Sequence, residues 1–392
     1  MLEPNGGSFV AVSSEINDKQ VLTLMKKRIL INANTADLPL WRGEGYVSGV
    51  GRSTSCLLSA IDKLRPKKIE IIACKEGLKY IFVKSRLKNI RYLRIFPERF
   101  AKFCRKALFR NYIYHYPNNY FAQTLPDEPF IITVHDTMQY EKALHDNNIR
   151  LLRIIEDNVR NCICIITCSR YSQRKIVEHF PFATSKVFVI PWGVDTLKFK
   201  IMKQNEVDDV TRKYGISKPY FISVSCKGIR KNINMLLNAF KLYIQRGGEL
   251  ALVLLLNTVP QNIIDKYHKE LSDRRIIFLP YVSDEELVSL YNGANCTLFP
   301  SLEEGFGFPI LESLACGTPV LTCKNSSLEE IGSSLAVYGP ESSPEAFADL
   351  LFEVENMKNA LFTKRALKYV ARFTWEGTAQ QYIALYEEIL GT

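Results

Sequence analysis

The segment Glu304-Gly-Phe-Gly-Phe-Pro-Ile-Leu-Glu312-Ser-Leu-Ala-Cys-Gly317 concentrates more usable chemistry than any other part of this sequence. It follows an apolar run ending at Pro300, and the spacing of Ile310, Leu311, Leu314 and Ala315 predicts a helix starting near Phe308. Gly305 and Gly307 let a ligand approach the backbone closely, and Gly317 stands where a helix C-terminus favours glycine. A helix start offers free N–H groups and the positive end of the helix dipole, which together suit a phosphate. Glu304 on the loop and Glu312 inside the helix would then flank one anion-bearing ligand. A single glutamate here would read as a solvated surface acid, because such residues are common; the whole string carries the reading.

Three weaker candidates share this chemistry. Arg230 and Lys231 precede a predicted helix, Asn232–Arg246, whose Leu236, Leu237, Phe240 and Tyr243 fall on one face. Two fixed cations can offset the charge that grows on a departing phosphate, although the pair alone reads equally well as a solvated basic turn. His135 directly follows the apolar run FIITV, at the carboxyl end of a predicted strand; a histidine so placed is structural about as often as functional. Gly49-Val-Gly51 would bring backbone N–H groups to a phosphate, but one GxG is a plain turn in most chains. The sequence contains no D-x-D triplet, a frequent carboxylate pair for a divalent cation on a diphosphate. Cationic side chains and helix-end amides are therefore expected to hold the phosphates, with no required metal and no cofactor.

The elements that must position these residues follow from short apolar runs alternating with amphipathic stretches, the pattern of βαβ units. RILINA, KIEIIAC, FIITV, CICIITC and KVFVIP read as one series of buried strands; YFISVS, LALVLLL, RIIFLP, CTLFP and PVLTC read as a second. At 392 residues the chain suits two domains. The expected class is α/β, with two doubly wound domains and a ligand cleft outside the strand carboxyl ends. Residues 1–24 read as a polar tail or extension, 25–195 as the first domain, 196–218 as a linker, 219–372 as the second domain, and 373–392 as a closing helix. The ten cysteines form no CxxC pair and lie mostly in apolar runs, as in a reduced intracellular protein. No run reaches the length of a membrane helix, and the start lacks the pattern of a secretory signal.

Glu304–Val320 resembles the E-x7-E segment of family 4 glycosyltransferases with the GT-B fold, commonly EGFGLPxLEAMACGTPV. SVSCKGIRKNINMLLNAF resembles the family's VGTLEPRKNxxxLLxAF, and LPYVSDEELVSLYNGANCTLFPS resembles GYVSDEELxxLYxxADxxVFPS. Further likenesses are Gly49–Arg52 to a GIGR loop, His135-Asp136 to a strand-end VHD, VIPWGVD to VVPNGVD, the Asn325–Glu330 stretch to NSSLPEVVG, and FTWEGTAQQYIALY to the closing helix. The resemblance implies two Rossmann-like domains facing each other across a cleft and transfer of a hexose with retention from a nucleotide-diphosphate sugar. The RKN-type subgroup puts mannose and GDP first, with UDP-sugars open, and a glycan or lipid-linked sugar as acceptor. It implies that Arg230 and Lys231 hold the diphosphate, Glu304 and His135 meet the transferred sugar, and Glu312 meets the ribose. Gly49, Gly51, Tyr281, Val282, Gly305, Phe306, Gly307, Phe308 and Pro309 complete the donor site. Cys226 departs from the pattern, because many members carry arginine there.

A sugar-nucleotide epimerase and a catalytically silent GT-B binding protein are the competing readings. A nucleic-acid binder fits the net charge of +10, but the excess is concentrated in one segment without a recognition motif. Between Lys84 and Tyr120 stand ten Lys/Arg and one acid, Glu98, interleaved with Phe, Tyr, Leu and Ile. That composition suits an anionic membrane surface and a cytoplasmic protein held peripherally on the inner face; Pro97 argues against one unbroken helix, and a solvated face with inward apolar residues is the alternative.

Overall fold

The structure is a computed structural model that describes residues 27–34, 49–76, 87–95, 101–109, 111–117, 122–125, 127–224, 226, 228–280 and 282–392. The polar tail 1–24 and Tyr281 lie outside the described residues, as do parts of the basic segment. The chain divides into two compact units, Met1–Pro191 with Trp375–Thr392, and Trp192–Thr374.

The first unit is built on seven parallel strands in the order β3-β2-β1-β4-β5-β6-β7. They are β1 (Arg28–Asn32), β2 (Glu70–Glu76), β3 (Arg91–Ile95), β4 (Ile113–Tyr116), β5 (Phe130–Thr133), β6 (Ile165–Thr167) and β7 (Val187–Val189). The central strands have both faces covered, so they read as continuous apolar runs. One face packs on the helices Gly49–Leu64 and Trp375–Ile389, joining Leu58 and Ile61 to Tyr382, Leu385 and Tyr386 in a single core.

The second unit carries six parallel strands in the order β10-β9-β8-β11-β12-β13, the strand order of a dinucleotide-binding fold. They are β8 (Tyr220–Ser223), β9 (Ala251–Leu255), β10 (Ile276–Leu279), β11 (Cys296–Phe299), β12 (Val320–Cys323) and β13 (Ala336–Gly339). Leu236, Phe240 and Tyr243 of the helix Ile233–Gln245 enter its core beside Phe347 and Leu351.

Two expectations need correction. The stretch 196–218 is not a linker but part of the second unit. Its helix Gln204–Lys213 packs on the helix Asp284–Gly293, burying Val207 and pairing Lys213 with Glu286. A helix of ten mostly polar residues needs only that narrow apolar contact, so periodicity alone does not reveal it. The basic segment is likewise not one surface. Its residues 113–116, IYHY, form the buried strand β4 between β1 and β5. Tyr114 accepts a hydrogen bond from Asn32 Nδ2 at 3.1 Å, and His115 lies within hydrogen-bonding distance of Thr133 Oγ1 and Tyr386 Oη, at 2.9 and 2.7 Å. Arg105 is buried as well: its guanidinium reaches Glu128 at 2.5 Å, beneath which Tyr112 and Tyr116 donate to the same carboxylate.

Candidate active site

In the second sheet the strand order reverses between β8 and β11, so the loops leaving their carboxyl ends lie side by side. The loop after β8 turns through a single 3-10 turn, Ile229–Lys231, bracketed by Gly228 at φ 103° and Asn232 at φ 55°. Both brackets are left-handed, a conformation that glycine and asparagine tolerate best. The loop after β11 carries Ser301 and Glu304. Arg230 O accepts from Leu302 N at 2.8 Å and lies 3.1 Å from Ser301 Oγ, so the two loops are joined at the Arg230 carbonyl.

That junction places three charges in contact. Arg230 Nη1 donates to Glu304 Oε2 at 2.9 Å and to the Glu303 carbonyl at 3.1 Å. Lys231 Nζ donates to Glu304 Oε1 and stands 5.0 Å from the centre of the Phe299 ring. Ser301 Oγ donates to the same Oε1 at 2.7 Å. The Glu304 backbone is held from the other side: its N–H donates to Ser326 Oγ at 3.1 Å and its carbonyl accepts from Ser327 Oγ at 2.8 Å. Lys231 is buried, and burial lowers its ammonium pKa, partly countered by Glu304. Arg230 keeps 38% of its side chain exposed, so the cluster has one enclosed cation and one open to an incoming anion.

The glycine loop then enters the helix Phe308–Ala315. Gly307 caps it at φ 105°, where a Cβ would come within 3.1 Å of Leu328, and Pro309 lies in the first turn. Gly317 follows the helix at φ 70°, and a Cβ there would meet Ile201 and Thr363 at 2.8 Å. Phe306 and Phe308 straddle Gly307, and Trp192 packs on both: its ring stacks on Phe308 at 5.2 Å with 9° between planes and meets Phe306 at 5.3 Å. Glu312 is buried in the same helix and accepts a hydrogen bond from Tyr291 at 3.2 Å. Gly305 and Val282 are buried in this unit.

Thus Arg230, Lys231 and Glu304 are brought together, beside the loop that contains Gly305–Pro309. Cys226 is not a further member: it is packed in the core, its thiol donates to Ser223 O at 3.3 Å, and burial pushes its pKa up to about 12. Ser301, Ser326, Ser327 and Trp192 were not singled out in the sequence. The serines' signal was their place in FPS and NSS beside the glutamate loop; Trp192 had none, because aromatic contacts across a fold leave no periodic trace.

The other candidates belong to the first unit. Gly49 and Gly51 open the helix after β1, and His135 follows β5. All strands being parallel, these lie at the carboxyl edge of the sheet. His135 Nε2 is 3.1 Å from the carbonyl oxygen of Pro117, the residue after β4, which assigns the ring proton to Nε2. Burial pulls its pKa down to about 4, so the imidazole is neutral at pH 7. Among the described residues no cluster of three or more His, Cys, Asp and Glu is placed to hold a metal, and no helix is long and apolar enough to cross a membrane.

Residues 207–371 match the glycosyl transferases group 1 and residues 66–198 the glycosyltransferase family 4. The chain is 25% identical over 375 residues to the O-antigen chain mannosyltransferase B of Escherichia coli, covering 92% of this chain and 93% of that one. Its fold superposes on sucrose-phosphate synthase from Thermosynechococcus elongatus with a TM-score of 0.72, at 18% identity, over 93% of this chain and 100% of the other. It superposes on Anabaena HepE in complex with UDP-glucose with a TM-score of 0.67, at 17% identity, over 92% and 99%. With both halves matched and both sheets wound as the GT-B fold requires, the chain belongs to the family 4, group 1 glycosyltransferases.

Proposed function

We propose that this glycosyltransferase moves a hexose, mannose first, from a nucleotide-diphosphate sugar to a glycan or lipid-linked acceptor, with retention and without a metal. The observation that carries the reading is the meeting of Arg230, Lys231 and Glu304 beside a glycine loop that opens a helix. Two cations and helix-start amides suit a diphosphate, and a carboxylate suits sugar hydroxyls. Mannose is favoured by the similarity to a mannosyltransferase that spans nearly the whole chain. As the glycosidic bond breaks, Arg230 and Lys231 would offset the charge on the leaving phosphate. On the same face of the sugar the acceptor hydroxyl would attack and pass its proton to that phosphate oxygen. Glu312 would hold the ribose, and His135 would meet the sugar as a neutral ring rather than as a charge.

The test is incubation with GDP-mannose, UDP-glucose and UDP-galactose, each with and without mannosylated acceptors and with EDTA. Acceptor-dependent release of the nucleoside diphosphate with an α-linked product supports the reading. Epimerised sugar from donor alone would favour an epimerase, nucleotide binding without turnover a silent binding protein, and loss of activity in EDTA would overturn metal independence.

A lipid-linked acceptor implies work at the inner, anionic face of a cytoplasmic membrane. The helix Ala101–Leu108 favours this, presenting Phe103 and Leu108 at 73% and 59% exposure among Lys102 and Lys106. Apolar side chains that enter a headgroup region between lysines bind anionic lipid in a salt-dependent way.

A further inference from the structure

We infer that donor binding in this protein is an anion exchange, in which the diphosphate displaces the Glu304 carboxylate from Arg230 and Lys231. The inference rests on the reading of that pair as the diphosphate site. Both oxygens of Glu304 are committed to these cations: Oε2 to Arg230 at 2.9 Å, Oε1 to Lys231. The cluster therefore holds two positive charges and one negative in direct contact. A nucleotide-sugar diphosphate brings two more negative charges. If all three groups crowded onto the same two donors, like charges would stand within about 4–6 Å of one another in a half-buried site, where their repulsion is strong.

The neighbours are arranged for an exchange rather than a rupture. Ser301 Oγ already donates to Glu304 Oε1 at 2.7 Å and can keep that oxygen satisfied after the cations let go. Ser326 and Ser327 hold the Glu304 backbone, so only the side chain has to turn. Lys231 stays over the Phe299 ring at 5.0 Å, which stabilises an ammonium while its anionic partner changes. Gly305 follows Glu304 directly and Phe306–Phe308 are clamped by Trp192, so the amides beyond the carboxylate are already set.

Two consequences follow. The carboxylate becomes available to the sugar only when the diphosphate is seated, which couples the sugar contact to a correctly placed donor. After transfer the same carboxylate competes for the cations and drives the nucleoside diphosphate out. Glu304 thus weakens product binding and speeds release, a cost in affinity that serves turnover.

The exchange predicts opposite signs for two variants of one ion cluster. Calorimetric titration of GDP, UDP and ADP into the full chain, without divalent cation, first identifies the nucleotide that binds best. For that nucleotide Glu304→Gln is expected to bind about tenfold tighter than wild type, or about 1.4 kcal/mol, with slower dissociation and greatly reduced transfer. Glu304→Asp keeps the charge but withdraws it, and should tighten binding by a smaller factor; it also serves if the glutamine variant does not fold. Lys231→Ala should weaken binding at least tenfold. Unchanged or weaker binding in both Glu304 variants, with melting temperatures near wild type and Lys231→Ala still weakened, overturns the exchange while leaving the diphosphate site standing. If no nucleotide binds the wild type, or Lys231→Ala binds as tightly as wild type, the diphosphate assignment itself falls and the exchange falls with it.

Discussion

Replacing Arg105 with methionine separates the part of the basic segment that serves the fold from the part that faces outward. The Arg105 and Glu128 side chains are 1% and 0% exposed, and the guanidinium meets the carboxylate at 2.5 Å. Tyr112 and Tyr116 donate to the same carboxylate at 2.5 and 3.2 Å, while the guanidinium lies 4.2 Å over the Tyr114 ring. Methionine keeps most of the volume, so little of the effect is a cavity. What remains is a buried carboxylate stripped of its counter-charge, a change that costs about 3–5 kcal/mol when one partner of a buried pair is removed. In a unit of roughly 200 residues, each kcal/mol moves the melting temperature by about 2–4 °C, which predicts a fall of roughly 10 °C. Changing Glu128 to methionine in the same chain should restore most of it, because a paired apolar replacement leaves no lone charge. Differential scanning fluorimetry reads the shift, and liposome co-sedimentation well below the transition should be unchanged. Lys102→Ser with Lys106→Ser should do the reverse, leaving the melting temperature within about 1 °C while weakening anionic-liposome binding. A fall under about 2 °C for Arg105→Met would refute the argument that this arginine is a core element.

Lys231→Ala should lower kcat/KM for the donor by about 10–150-fold, from the 1.5–3 kcal/mol of a charge-assisted contact, measured by initial rates at subsaturating donor. Phe103→Ser with Leu108→Ser should reduce liposome binding without changing donor kinetics on a water-soluble acceptor, because both side chains are exposed. Burial pulls the imidazoles of His115 and His135 down to about 3 and 4. Their neutral forms therefore support the fold fully above pH 6.5. Below it the unfolded chain takes up protons that the folded one refuses, so urea unfolding of the first unit should lose a few kcal/mol between pH 6.5 and 4. His115→Gln should flatten that slope. Gly307→Ala should slow transfer at least tenfold, since alanine neither favours φ 105° nor clears Leu328; donor kinetics at normal fold content check this.

The strands that announced themselves in the sequence were those wrapped on both faces by apolar partners, such as Phe130–Thr133 and Ala251–Leu255. Three others passed unread. Arg91–Ile95 is an edge strand whose arginines point to solvent or to Glu70, so charge masked its pairing with β2. Ile113–Tyr116 is central, but its tyrosines and histidine hide polar tips in hydrogen bonds, and a hydropathy pattern counts those tips as surface. Ala336–Gly339 is short and half-buried. At the site, Glu304, Arg230 and Lys231 were legible because each stands in a dense local motif. Their mutual contact was not, since it depends on β8 and β11 being neighbours although Lys231 and Glu304 are 73 positions apart in the chain. Ser301 and Trp192 act only through that juxtaposition.

The helix Trp375–Ile389 gives the protein an order of biogenesis. Tyr382, Leu385, Tyr386 and Ile389 complete the core of the first unit, yet they emerge from the ribosome after all of residues 192–374. At about 5–20 residues per second, the first sheet waits roughly 10–40 s for its last wall. During that interval Leu58, Ile61 and the Tyr386 partner His115 stand uncovered, and the second unit receives its last residue, Thr374, before the closing helix is made. The half that starts first therefore finishes last, and a chain cut before residue 375 lacks the last wall of its first unit's core.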